Sequence, residues 1–539
     1  MNGTAQTQQH GINKRPFGER LASFGNGAAA LLTLAAFAAM ALIGLFVTCA
    51  VETGFSADNS EHVAFLRDAP LVTLALSLAL LIVLALLVNR GITKRTANVA
   101  AACMAACLTA AGLWWVLAAK AVPQADSAAI LSQARLLAAG DTASMAGSTY
   151  FRVFPFQMGY LLYAELFCRV FGAGAGAGAE TALAVSNVLC TAASALCLVK
   201  IADRLFSDAR VTFLTAVLLG LCWQPVLLTT FLYGVLPGLC AALWSVWFAL
   251  RFCQDGGQGK GRKRDIVFAA LLITAAVLLK KNYLIVLIAE GCALLLYAVR
   301  TKRWLPVVCA AAMTLCACLA PRAVQAGYEA RTGALFGEGT PQSAWLVTGF
   351  RESSMCSGWF NGYTTTVLAE NGFDAARTKA VIRADLSEQL TMFSHRPRYL
   401  ASFLYHKLVS QWNEPSFQCI WSSATGRDTG LLPPIVQSVY TGGANAFLTG
   451  YFNVYTESAY IGFAAALWLL FRRRGEDGAA LRLLLPITVL GAFLYHALFE
   501  AKAQYALIYL PMMLPYAAYA VTAVRDIAAE AIRKRRSAR

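Results

Sequence analysis

Charged residues are scarce in this chain. Only 14% of its 539 residues are Asp, Glu, Lys or Arg, against the roughly 25% of an ordinary soluble chain. That scarcity excludes a disordered chain, and with 58% hydrophobic residues and a mean hydropathy of +0.56 it also excludes a soluble multidomain enzyme. Zinc-type Cys pairs are missing too. The 15 cysteines contain no CxxC pair, and most, such as Cys103, Cys107, Cys190, Cys197, Cys309, Cys316 and Cys318, lie inside apolar runs, where Cys behaves as a small hydrophobe. Only Cys356 and Cys419 fall in a polar segment, and two unpaired thiols are expected there in preference to a disulfide.

What the chain does have is apolar runs long enough to span a bilayer, repeated along most of its length. Twelve spanning helices are expected, near 27–49, 69–89, 98–119, 181–201, 209–225, 233–252, 266–281, 283–299, 304–321, 454–471, 481–499 and 505–524. Net charge is +16, and the excess sits in the segments around 14–20, 90–95, 200–210, 251–265, 300–303, 472–482 and 525–539. Basic loops on one side read as the positive-inside rule and not as a nucleic-acid surface. The expectation is an all-α, multi-pass protein of the plasma (inner) membrane with both termini cytoplasmic, its first run a retained anchor.

Two segments break the alternation of helix and short loop, 120–180 and 321–453, and charge topology puts both outside. Four parts follow. These are residues 1–97 with an extra hairpin, a 98–321 core with the first outer loop, a 322–453 external loop domain, and 454–539 with the last helices and a basic tail. The run GAGAGAGA at 172–179 reads as a connector.

In the first outer segment, Ile130, Leu131, Leu136 and Leu137 alternate with Gln133 and Arg135, the pattern of a surface helix opened by Asp126. Asp126 reads either as the helix N-cap or as a carboxylate held where a lipid-linked substrate would present its head group. A second surface helix is expected over 156–171, with Glu165 and Arg169 toward water. Lys280, Lys281 and Lys502 fall on the outer side, where cations are disfavoured unless they snorkel to head groups or bind something anionic. With Arg152 and Arg322 at outer boundaries, a phosphate site is the better fit. Glu290 is the clearest acid deep within a helix, and His496 reads as a capping or packing histidine in preference to a catalytic one. Aromatic and polar residues of the second segment (Trp345, Trp359, Phe360, Asn361, Tyr363, His395, Tyr399, Trp412, Trp421) suit either sugar stacking or a membrane interface.

A lone Asp after a Pro just beyond a spanning helix, a surface helix ending in Gly-Asp, and then YFRVFPFQMG resembles the GT-C class of membrane glycosyltransferases. The likeness is to the family 39-like branch of protein O-mannosyltransferases and the lipid A aminoarabinose transferase. It extends through LLKKNYLIVLIA (278–289), WLVTGFRESSMCSGWFN (345–361), RPRYLASFLYHKLVSQWNEPSF (396–417) and LFEAKAQYALIYLPMMLP (498–515), covering about 98–524.

The resemblance implies inverting transfer of a sugar from a polyprenyl-phosphate donor to a glycan, lipid or protein acceptor on the outer face of a bacterial envelope. Asp126 matches the family's catalytic base. Arg152, Gln157, Lys280, Lys281, Glu500, Lys502 and Tyr505 are taken as substrate-binding, the last three within EAKAQY. Many protein mannosyltransferases carry two adjacent acids, whereas Asp126 is followed by Ser127, which weakens the case for a protein acceptor; Asp141 is the only other carboxylate before Arg152. No cofactor is expected, a divalent metal stays open, and membrane lipids but not nucleic acid are expected partners. The rival classes are a polysaccharide polymerase or ligase and a multi-spanning transporter of lipid-linked glycans. No half-repeat supports the transporter, and the early loop acid favours the transferase.

Overall fold

The structure is a computed structural model that describes residues 17–51, 61–88, 91–120, 122–174, 178–254, 260–424, 432–476 and 478–537. Within the segments named above, Lys14, Arg15, Arg90, Asp255, Asp477, Arg539 and positions 175–177 of the Gly-Ala run lie outside the described residues.

Each expected span is matched by a helix. The long ones are Phe17–Gly44, Pro70–Leu87, Lys94–Ala119, Gly178–Phe206, Ala209–Leu221, Val235–Gln254, Lys260–Leu279, Leu284–Thr301, Leu305–Thr332, Gly443–Arg472, Leu484–Leu498 and Leu510–Ser537. Among the described residues nine segments are long and apolar enough to cross a membrane alone, or ten with the bent pair Ala209–Leu221 and Gln224–Thr230; Leu484–Leu498 is a shorter apolar helix. The chain is therefore an integral membrane protein, all-α in its body.

Sequence explains the bundle's outer and inner faces. Pro70–Leu87 is nearly pure Leu, Ala and Val, and only Thr73, Ser77 and Leu84 of it are buried, so its apolar rim is left for lipid. By contrast, the helices Val235–Gln254 and Leu510–Ser537 carry small residues among large ones and bury most of their apolar length in the central cluster around Tyr283, Trp412, Tyr460 and Tyr516.

Three boundaries differ from expectation for physical reasons. The first helix stops at Gly44, and the β-branched run after it forms a strand, Val47–Val51, paired antiparallel with Val63–Arg67. Leu305–Thr332 runs straight through Pro321, whose missing donor a membrane helix tolerates, and Gly443–Arg472 begins well before 454. Between them, among the described residues, lie the helices Ala344–Phe350, Tyr363–Glu370, Ala375–His395, Pro397–Trp412, Cys419–Ala424 and Pro434–Thr441.

Glu165 does not face water. It is buried at 2% exposure, where Tyr328 donates to it at 2.8 Å and Arg169 and Arg331 pair with it at 2.7 and 2.9 Å. Helix Met158–Phe171 packs against Leu305–Thr332, which turns Glu165 inward, and the two guanidiniums hold its carboxyl below the usual range despite burial. Trp359 and Trp412 are fully buried, so neither is exposed for sugar stacking. Cys356 and Cys419 are both free thiols.

Candidate active site

Asp126 lies in the first turn of helix Ala125–Ala138. The N-cap position belongs to Gln124, so the carboxylate does not cap this helix. Ala125 just before it has φ of +47°, a left-handed backbone that costs a residue with a Cβ roughly 1–2 kcal/mol. Asp126 instead accepts a hydrogen bond from the Tyr233 hydroxyl at 3.3 Å, and Gln157 donates to that same hydroxyl through its side-chain amide.

Lys280 reaches this group because two glycines make room for the end of helix Lys260–Leu279. A Cβ on Gly159 would collide with the Leu278 carbonyl, and one on Gly234 with the Leu279 carbonyl. The helix end thus lies against both the start of Met158–Phe171 and the loop before Val235–Gln254, which carries Tyr233. Lys280 Nζ stands 4.3 Å from the Tyr233 ring centroid and 5.3 Å from that of Tyr505. Burial pushes its ammonium down to about 8, against the opposing pull of Asp126 and Glu500. The next residue, Lys281, donates to the Gln342 side-chain carbonyl.

The break between the last two helices supplies the opposite wall. Glu500 is buried, its amide donates to the Trp345 carbonyl at 3.1 Å, and its Oε1 accepts from the Tyr505 hydroxyl at 2.9 Å. Burial raises its carboxyl above the usual range, with Lys502 and Tyr505 pulling the other way. His496 stacks on Tyr505 at 5.5 Å between ring centroids and also lines the cavity between these walls.

These groups face one cavity of about 540 Å³, lined by Asp126, Gln157, Tyr233, Lys280, Lys281, Gln342, Trp345, Glu500 and Tyr505, with Leu284, Ile285, Ile288 and Phe499 forming an apolar flank. Six of the eight residues singled out from sequence therefore meet. Lys502 does not line the cavity and pairs with Glu61 at 2.7 Å. Arg152 turns away, its guanidinium 3.9 Å over the Phe373 ring. Asp141 accepts from the Ser144 amide at 3.0 Å, a local turn contact.

Sequence reasoning missed Tyr233, Gln342, Glu61 and Lys407. The last is fully buried, donates to the Gly349 carbonyl at 2.5 Å, and is pushed by burial to about 7. Tyr233 sits in FLYGVLPG beside a glycine, and that pairing is the one local signal that could have marked it. Among the described residues no group of three or more His, Cys, Asp or Glu is placed to hold a metal.

A buried acid facing a lysine across a cavity with an apolar flank at a membrane helix end suits transfer from an amphiphilic donor. Residues 158–324 match the family model described as dolichyl-phosphate-mannose-protein mannosyltransferase. The resemblance read from the sequence is thereby borne out over those residues. The matched stretch holds Tyr233, Lys280 and Lys281 but neither Asp126 nor Glu500. No protein of curated function matches the chain by sequence. Two solved structures of an oligosaccharyltransferase from Archaeoglobus fulgidus are similar to it. One, in complex with an inhibitory peptide and a dolichol-phosphate, is 11% identical with a TM-score of 0.35 over 74% of this chain and 50% of the other. The second, tethered to an acceptor peptide through a disulfide bond, is 12% identical with a TM-score of 0.33 over 74% and 49%. The chain spans about half the length of either.

Proposed function

We propose that this protein is a glycosyltransferase that moves a sugar from a polyprenyl-phosphate donor to a hydroxyl acceptor on the outer face of the plasma membrane, with inversion at the anomeric carbon. The observation that carries this reading is the convergence of Asp126, Lys280, Lys281 and Glu500 on one cavity with an apolar flank between helices Leu284–Thr301 and Leu484–Leu498. The prenyl chain runs along Leu284, Ile285 and Ile288, and the phosphate lies by Lys280 and Lys281.

In the transfer step Asp126 takes the acceptor hydroxyl proton while that oxygen bonds to the anomeric carbon. The bond from that carbon to the phosphate oxygen breaks, and the electron pair leaves with the polyprenyl phosphate. Tyr233, held by Gln157, orients the carboxylate; Lys280 and Lys281 stabilise the leaving anion. Glu500 and Tyr505 form a hydrogen-bonded pair suited to sugar hydroxyls. The acceptor is a glycan, lipid or protein of the envelope, with Ser127 beside Asp126 weighing against a protein.

The test is incubation of the purified protein with polyprenyl-phosphate donors carrying radiolabelled sugars and with envelope extract. Label should move to an acceptor with release of polyprenyl phosphate. Retention of every label on its donor would refute the reading.

A further inference from the structure

The strand pair Val47–Val51 and Val63–Arg67 lies outside the 98–524 stretch of likeness and outside the matched residues 158–324, yet it packs on Ala501 and Ala503, which flank Lys502 in the segment that follows the cavity residue Glu500. Val51 and Val63 pack against the buried cluster of Trp359, Ala501 and Ala503, and the Cys49 amide donates to the Asn413 carbonyl at 2.8 Å. Between those anchors stands Glu61, its side chain 5% exposed. Oε1 accepts from Lys502 at 2.7 Å, while Oε2 is buried without a hydrogen-bond partner among the described residues. A buried carboxylate with an unused oxygen carries a free-energy cost. Anchoring the strands does not require it, because the valine contacts and the Cys49 bond already do so. Lys502 lies two residues from Glu500 and 6.0 Å from the ring centroid of Phe360, a cavity residue.

We propose that Glu61 is a positioning residue of the transfer site, holding and neutralising Lys502 so that the donor phosphate meets Lys280 and Lys281 but not a third free ammonium. The proposal rests on the polyprenyl-phosphate reading above. It gives the added strand pair a role in the reaction: with Lys502 occupied, the departing polyprenyl phosphate is held by fewer cations and is released more readily. It also explains why Lys502, a cation of the EAKAQY segment, is absent from the cavity wall.

A double-mutant cycle on the full-length protein in detergent tests it, read as affinity for undecaprenyl phosphate. E61Q should bind at least about fivefold tighter than wild type, because Lys502 becomes available to the phosphate. In the K502Q background the same change should give no such gain, and E61D, which keeps the charge, should stay within about twofold of wild type. An anchoring role alone predicts equal or weaker binding by E61Q. That result, or a gain that persists without Lys502, overturns the proposal. Should E61Q fail to fold, K502Q alone decides: a Lys502 already held by Glu61 adds nothing to the phosphate, so binding should stay within about twofold of wild type, and a loss of about tenfold or more would show that Lys502 meets the phosphate directly and refute the assignment. Were the wild-type protein to bind no undecaprenyl phosphate, the donor reading would fall, and the pairing is then read by acetylation. Lys502 should react several times faster with sulfosuccinimidyl acetate in E61Q than in wild type, and equal rates overturn the pairing.

Discussion

Lys280 carries the sharpest consequence at the scale of single residues. Burial lowers its ammonium from the usual 10.5 to about 8, so between those values the folded protein binds fewer protons than the unfolded chain. The burial penalty on stability is thus full below about 8 and is relieved as pH rises toward 10.5. Phosphate binding runs the other way, since it needs the charged form. Affinity for undecaprenyl phosphate should hold up to about pH 8 and then fall by up to about tenfold per pH unit, with the fall absent in Lys280→Gln. A flat wild-type profile would remove Lys280 from the phosphate site. Replacing Lys280 or Lys281 by Gln should weaken donor binding by up to about a hundredfold, from charge-assisted contacts of about 1.5–3 kcal/mol each. Isothermal titration at pH 7 checks it. Lys280 and Lys281 were legible in the sequence as cations on the outer side of a chain poor in charge, and Asp126 as a lone acid opening a surface helix, whereas Glu500 came only from the resemblance over 498–515. Glu61 and Tyr233 were not, because their roles depend on partners that stand 441 and 107 residues away.

At the scale of elements, the placement of Lys280 depends on two close approaches. Gly234→Ala or Gly159→Ala would push the end of helix Lys260–Leu279 off its neighbours, because the clash is with backbone carbonyls that cannot rotate away. A loss of about 1–3 kcal/mol is expected, with turnover falling more than the melting temperature suggests because Lys280 moves with the helix. Turnover unchanged by Gly234→Ala would show that this approach does not position the site. The spanning helices could be read from hydropathy and length, and each lies where it was expected to within its ends. The ends themselves could not, because Pro321 reads as a helix stop in water but sits inside a bilayer helix, and VTCAV reads as a continuing apolar run until its partner strand is known. Glu165 was misplaced for a related cause. Its inward turn is set by Arg331 and Tyr328, which lie on a helix far along the chain.

At the scale of the whole molecule, the cavity joins segments 120–180, 333–442 and 499–505 at one end of the bundle, the end that the proposed function, from the positive-inside pattern, puts outside. Single-cysteine labelling in intact cells, in a background without the native thiols, should modify a Cys at 126 without opening the membrane and one at 263 only after opening it. The reverse would overturn the orientation and the mechanism with it. The central claim is that Asp126 takes the proton, and the most direct measurement is turnover of Asp126→Asn with donor binding measured beside it. The account predicts a loss of about 10²–10⁴ in rate with affinity for undecaprenyl phosphate and the fold retained, because the amide accepts the Tyr233 hydrogen bond but cannot take a proton. Near-normal turnover by Asp126→Asn would contradict it.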